Sequence, residues 1–154
     1  MLARAGMLAG LQATQKDDYP ITIMTGHSVS EIILSPQPID YTGIDVPDYF
    51  VVISADGMKK TRKQIAALPA DCTLIVDQDL ECPDTAARVI ALPLTATARS
   101  AGRLSIGIVA LAATLAEAGL FGQPAFEAAS DRFQSPAIAK VNIDAARKGA
   151  ALIG

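Results

Sequence analysis

The sequence predicts an α/β fold built on an open, mainly parallel sheet, with helices filling the C-terminal third of the chain. Three observations lead there. Two short, continuously apolar runs, Tyr49 to Ser54 and Thr73 to Val76, read as strands buried on both faces, as in a parallel sheet. A helix-like segment separates them, and a third short strand, Arg88 to Leu92, follows. From Thr95 onward the apolar spacing is helical.

The elements follow in order. Met1 to Ala13 has helical spacing, with Leu2, Met7, Leu8 and Leu11 on one face, and Lys16 to Pro20 ends that helix. Ile21 to Met24 and Val29 to Ser35 read as strands, the second rich in β-branched residues. Pro36 to Pro47 is a proline-rich connector. After the strand at Tyr49, Ala55-Asp56-Gly57 forms a turn, with Asp56 as N-cap of a helix over Met58 to Leu68. Thr95 to Ala118 reads as helical, with Gly102 and Gly107 as breaks. Pro124 to Phe133 and Pro136 to Ile153 are two more helices, each with proline in the first turn, where its missing N–H costs little. No internal repeat or linker divides the 154 residues, so residues 1–154 read as one domain.

Composition narrows the function. Hydrophobic residues make up 51% and charged residues 19%, which excludes a disordered chain. A net charge of −3 and a pI near 5.0 argue against nucleic acid as partner; the one basic cluster, Lys59, Lys60, Arg62 and Lys63, reads as the solvated face of a helix. No apolar run reaches the ~18 residues that span a bilayer, and no signal peptide is evident. Cys72 and Cys82 are too few for an iron–sulfur or structural zinc site, so a cytoplasmic protein with reduced thiols is expected. A mean hydropathy of +0.33 in a chain without tryptophan leaves surplus apolar surface, which points to a subunit of an assembly and to self-association when the chain is alone.

The chemistry-bearing residues concentrate between Met24 and Ile39. Within seven residues lie Thr25, Gly26, His27 (the only histidine), Ser28, Ser30 and Glu31, in a turn at strand ends, where α/β sheets keep their binding groups. These five residues, Thr25, Gly26, His27, Ser28 and Glu31, form the candidate ligand-binding site. His27 is either a base or ligand contact, or a turn residue hydrogen-bonded to backbone. Gly26 suits a positive φ or a close backbone approach. Ser28 and Ser30 beside His27 lack the glycine elbow of a serine nucleophile. Glu31 either binds or pairs locally. Asp77 and Asp79, after a buried strand, either meet a metal or ribose or cap the next turn. Cys72 and Cys82, ten residues apart, read as inert thiols. No catalytic residue and no metal site is predicted.

Four segments together carry a family resemblance: TGHSVSEIILSPQPI (25–39), VPDYFVVIS (46–54), TLIVDQDL (73–80) and ARVIALPLTATARSAGRLSIGIVALAATLAEAGL (87–120), with a closing helix holding Asn142, Ala145 and Gly149. They resemble the gamma subunit, or gamma domain, of the 2-oxoacid:ferredoxin oxidoreductases over essentially the whole chain. The resemblance implies a Rossmann-like, three-layer αβα domain in a multi-subunit enzyme. That enzyme oxidatively decarboxylates a 2-oxoacid to an acyl-CoA and passes electrons to ferredoxin. It implies alpha-, beta- and delta-type subunits as partners. Thiamine diphosphate, Mg, iron–sulfur clusters and CoA are then held mainly on those other subunits, and this chain supports assembly and shapes the active-site surroundings. The alternative is a stand-alone ligand-binding or regulatory relative that has lost the enzyme. Two departures from the family pattern stand out. The expected first strand with its GxGGQG-like turn is missing ahead of the first helix. Thr25-Gly26-His27 stands where an RGG-like turn is usual, which weakens a positive contact to substrate or CoA phosphate because histidine is mostly neutral at pH 7.

Overall fold

The computed structural model describes residues 1–18, 28–102 and 105–154. Its centre is a parallel sheet in the order β3-β4-β5: Tyr49–Val52, Thr73–Asp77 and Arg88–Leu92. The register sets Val51, Ile75 and Ile90 abreast on one face and Phe50, Leu74 and Val89 on the next row, facing the other way. The predicted β-branched, apolar runs thus become strands covered on both sides, and all five residues of β4 are buried.

Helix α2 (Ala55–Ala66) covers one face. Met58 and Ile65 from α2, with Leu68 just beyond it, meet Val52, Leu74 and Val76 of the sheet. Thr85 Oγ1 donates to the Ile65 carbonyl at 2.6 Å and pins the β4–β5 connection to the end of that helix. The opposite face carries α3 (Leu94–Ala101), α4 (Ile106–Ala118) and α6 (Pro136–Ala150), whose Leu94, Ala98, Val109, Ala110, Ala113 and Ala145 pack on Ile75 and Leu92. Two helical layers around one sheet make the αβα arrangement that the family resemblance implies. A third cluster extends outward from α4: Ala112 and Leu115 meet Ala5 of α1 (Leu2–Leu8), Phe126 and Ala129 of α5 (Gln123–Phe133), and Ala146. Helix α4 is therefore buried on most sides, which accounts for its mainly apolar composition, with Thr114 and Glu117 the exceptions. Among the described residues no single helix is long and apolar enough to cross a membrane.

The N-terminal region departs from expectation. The first helix ends at Leu8, and Gly10 at φ 87° turns the chain, closed by the Leu11 N–H donating to the Gly6 carbonyl at 3.0 Å. Gln12–Asp18, expected partly as helix and partly as its terminator, is strand β1, paired antiparallel with β2 (Val29–Ser35) from Gln12↔Ser35 to Asp18↔Val29. This polar, largely exposed strand exists because β2 satisfies its backbone, not because of its own pattern. The two strands form a separate two-stranded sheet. The strand expected at Ile21 to Met24 lies outside the described residues.

Smaller shifts have local causes. Helix α2 starts at Ala55, and its N-cap is Ser54, whose Oγ accepts from the Gly57 N–H at 3.1 Å; Asp56 instead sits in the first turn. The long helix expected over 95–118 is two helices. Gly102 ends α3 at φ 142°, a conformation L side chains rarely adopt, whereas Gly107 continues inside α4. Helix α6 stops at Ala150, short of Ile153. Strand β5 matches its expected bounds.

Candidate functional site

Of the predicted site, Thr25, Gly26 and His27 lie outside the described residues. Ser28 is exposed and immediately precedes β2, and Glu31 is the third residue of that strand. The hairpin register fixes what surrounds them. Glu31 stands opposite Lys16, with Oε2 3.9 Å from its Nζ, and Ser30 stands opposite Asp17. Hydrogen bonds from Ser30 and from Gln15 hold the Asp17 carboxyl below its ordinary value. Glu31 and Ser30 thus serve cross-strand pairing at this end of the hairpin.

The second cluster lies at the C-terminal edge of the parallel sheet, the usual ligand side of such folds. Asp77 ends β4 and is 2% exposed. Its Oδ2 accepts from the Thr95 N–H at 2.6 Å, and Oδ1 accepts from the Asp79 N–H at 3.0 Å. Burial pushes this carboxyl up. Hydrogen bonds from the Thr95 side chain and from the Asp79 and Thr95 N–H groups, with the Arg99 charge, outweigh burial and hold it below the ordinary carboxylate value. Of the two roles open to the strand-end acids, capping is the one Asp77 takes. It serves the first turn of α3, whose N-cap residue Pro93 provides no side-chain cap. Buried and already accepting on both oxygens, this carboxylate is not presented to a ligand at the surface.

Longer-range ties that no motif announces join the layers, the first of them at the opposite, N-terminal edge of the sheet, where Thr73 and Arg88 begin β4 and β5. Arg88 Nη2 pairs with Glu117 of α4 and donates to Thr73 Oγ1 at 3.2 Å, clamping β5 to the sheet and to α4. Lys148 Nζ donates to the Ser100 carbonyl at 2.9 Å at the end of α3, where the helix dipole favours a cation. Arg147 grips Glu127 through Nε at 2.8 Å and Nη2 at 2.9 Å, joining α6 to α5. These partners are 15 to 48 residues apart, so no local spacing signals them.

The cysteines behave as the sequence predicts. Desolvation, with Asp71 and Asp48 adding to it, pushes the buried Cys72 thiol up. Desolvation does the same at the half-buried Cys82, opposed by Arg62. Neither sits where a thiolate would be favoured. Among the described residues no three His, Cys, Asp or Glu side chains stand close enough to hold a metal ion.

No curated protein sequence matches the chain. A solved keto/oxoacid ferredoxin oxidoreductase gamma subunit from Geobacter sulfurreducens PCA is 25% identical, with a TM-score of 0.79, over 99% of this chain and 86% of that one. Pyruvate oxidoreductase subunit PORC from Thermotoga maritima is 18% identical at a TM-score of 0.74, covering 98% of this chain and 85% of that one. The 2-oxoglutarate:ferredoxin oxidoreductase from Magnetococcus marinus, solved with 2-oxoglutarate, coenzyme A and succinyl-CoA bound, is 24% identical at a TM-score of 0.82. This chain covers 27% of its length. The two structures of lower identity extend the agreement in fold. The family model for pyruvate ferredoxin/flavodoxin oxidoreductase matches residues 1–152. The chain belongs to the pyruvate ferredoxin/flavodoxin oxidoreductase family, as the resemblance of residues 25–39, 46–54, 73–80 and 87–120 implies.

Proposed function

We propose that the chain is the gamma-type subunit of a 2-oxoacid:ferredoxin oxidoreductase, working as one domain within a cytoplasmic multi-subunit complex. The observation that carries this reading is the family match over residues 1–152, joined to the gamma-subunit likeness at 25% identity. The complex would convert a 2-oxoacid and CoA to an acyl-CoA, with thiamine diphosphate, Mg and iron–sulfur clusters on alpha-, beta- and delta-type partners. This chain's own contribution is architectural. Its strand-end acid Asp77 is spent on holding α3 in place.

Within that role, the turn Thr25, Gly26, His27, Ser28 is where the chain would reach toward substrate or CoA. Glu31, opposite Lys16 in the β1–β2 pair, follows Ser28 by three residues. In the assembled enzyme H27A is expected to raise KM for CoA with kcat unchanged, and an unaltered KM removes the turn from the site.

Anaerobic purification from native cells through a tag on this chain tests the larger reading. Thiamine-dependent and iron–sulfur subunits should copurify and reduce a viologen dye with a 2-oxoacid and CoA, while the isolated chain does not. Recovery of the chain without them would overturn the assignment.

A further inference from the structure

The seam between α1 and α5 buries Ala5 against Phe126 and Ala129 and then continues to the surface. There Met7 is 62% exposed, Leu8 39% and Phe133 43%. Arg4 precedes Met7 and Leu8 by three and four residues, which sets it on the same side of α1. Its guanidinium carbon stands 4.8 Å from the centroid of the Phe133 ring, and that of Arg132 stands 5.5 Å away. Two cations therefore flank one exposed aromatic ring.

Neither arginine enters an ion pair among the described residues. The neighbouring acid Asp131 lines a groove toward α6 with Lys140, Asp144 and Arg147. It projects about 200° around α5 from Phe133. The apolar patch is thus rimmed by positive charge, in a chain whose net charge is −3.

We infer that the Arg4–Phe133–Arg132 face, with Met7 and Leu8, is the interface for an acidic, partly apolar surface on another subunit of the oxidoreductase. The inference rests on the subunit reading above. Arginine, aromatic residues and methionine are the types enriched in interface cores. Stacking on Phe133 holds the guanidinium heads in place, so a partner carboxylate meets donors that are already ordered. A second copy of this chain fits poorly, because a two-fold contact through this patch would set guanidinium against guanidinium.

The test uses the native complex recovered through a tag on this chain. The double variant R4E/R132E and the single variant F133A are compared with wild type and with K59E/K63E, which makes the same charge change on α2. The expected result is a loss of about tenfold or more in recovered partner subunits for R4E/R132E and F133A, and none for K59E/K63E. The melting curves of the isolated variants should overlay wild type; if R4E/R132E melts early, R4Q/R132Q takes its place. Undiminished recovery in the patch variants, or equal loss in K59E/K63E, overturns the inference. So does a wild-type dimer that R4E/R132E dissolves. Failure of the wild-type chain to recover any subunit counts instead against the functional assignment.

Discussion

Gly149 of α6 lies directly on the backbone of Val109 in α4, so close that a Cβ on Gly149 would stand 2.8 Å from the Val109 Cα. Backbone cannot rotate aside as a side chain can. The two helices that cover one face of the sheet meet at this point. G149A is therefore expected to destabilise the chain by about 2–3 kcal/mol, read from urea unfolding. Gly107 in α4 supplies the contrast, since nothing lies within 4 Å of its would-be Cβ. G107A should stabilise by about 0.5–1 kcal/mol through helix propensity. Equal effects of the two substitutions would refute the close approach.

Asp77 makes stability depend on acid. Its folded pKa lies below the unfolded value, so its contribution is fully present above the ordinary carboxyl pKa near 3.8. That contribution fades as pH falls from there through the folded value. D77N keeps only one acceptor oxygen for the two N–H groups of Thr95 and Asp79 and turns an amide toward the other. At pH 7 the loss should be about 1–3 kcal/mol, and the difference from wild type should shrink below pH 4. A gap that persists unchanged at pH 2.5 would remove the charge from the explanation.

Ser54 and Asp56 are two residues apart and both are capping types, yet only Ser54 occupies the N-cap of α2. S54A is expected to cost about 1 kcal/mol in thermal or urea unfolding, and D56A only the few tenths that a first-turn acid contributes. The reverse ranking would restore Asp56 as the cap.

The two thiols should differ in reactivity. Cys72 is fully buried in the cluster between α2 and the sheet, and Cys82 is half-buried at its margin. With a disulfide reagent at pH 8, Cys82 is expected to react first and slowly, and Cys72 only as fast as the chain opens. A rapid reaction at Cys72 would show a breathing motion of that layer.

Much of this was legible along the chain, and the exceptions share one cause. The strands β3 and β4 announce themselves because a strand covered on both faces must be apolar throughout, and β5 shows as a short apolar run even though it is largely exposed. Helices α5 and α6 do so because proline is tolerated in the first turn. Strand β1 does not, since QATQKDD has no apolar alternation and becomes a strand only through its ladder with β2. Asp77 was visible as a strand-end acid, but its capping role depends on Thr95, eighteen residues further on.

Period and polarity alone thus set the α/β class, the parallel core and the helical C-terminal third, because burial of backbone and apolar side chains constrains every residue of those elements. Tertiary structure alone decided that the N-terminal hairpin stands apart from the main sheet, that Gly149 meets Val109, and that Arg4 stacks on Phe133. Each of these joins residues whose local sequence carries no mark of the partner, so the contact exists only once the layers have packed.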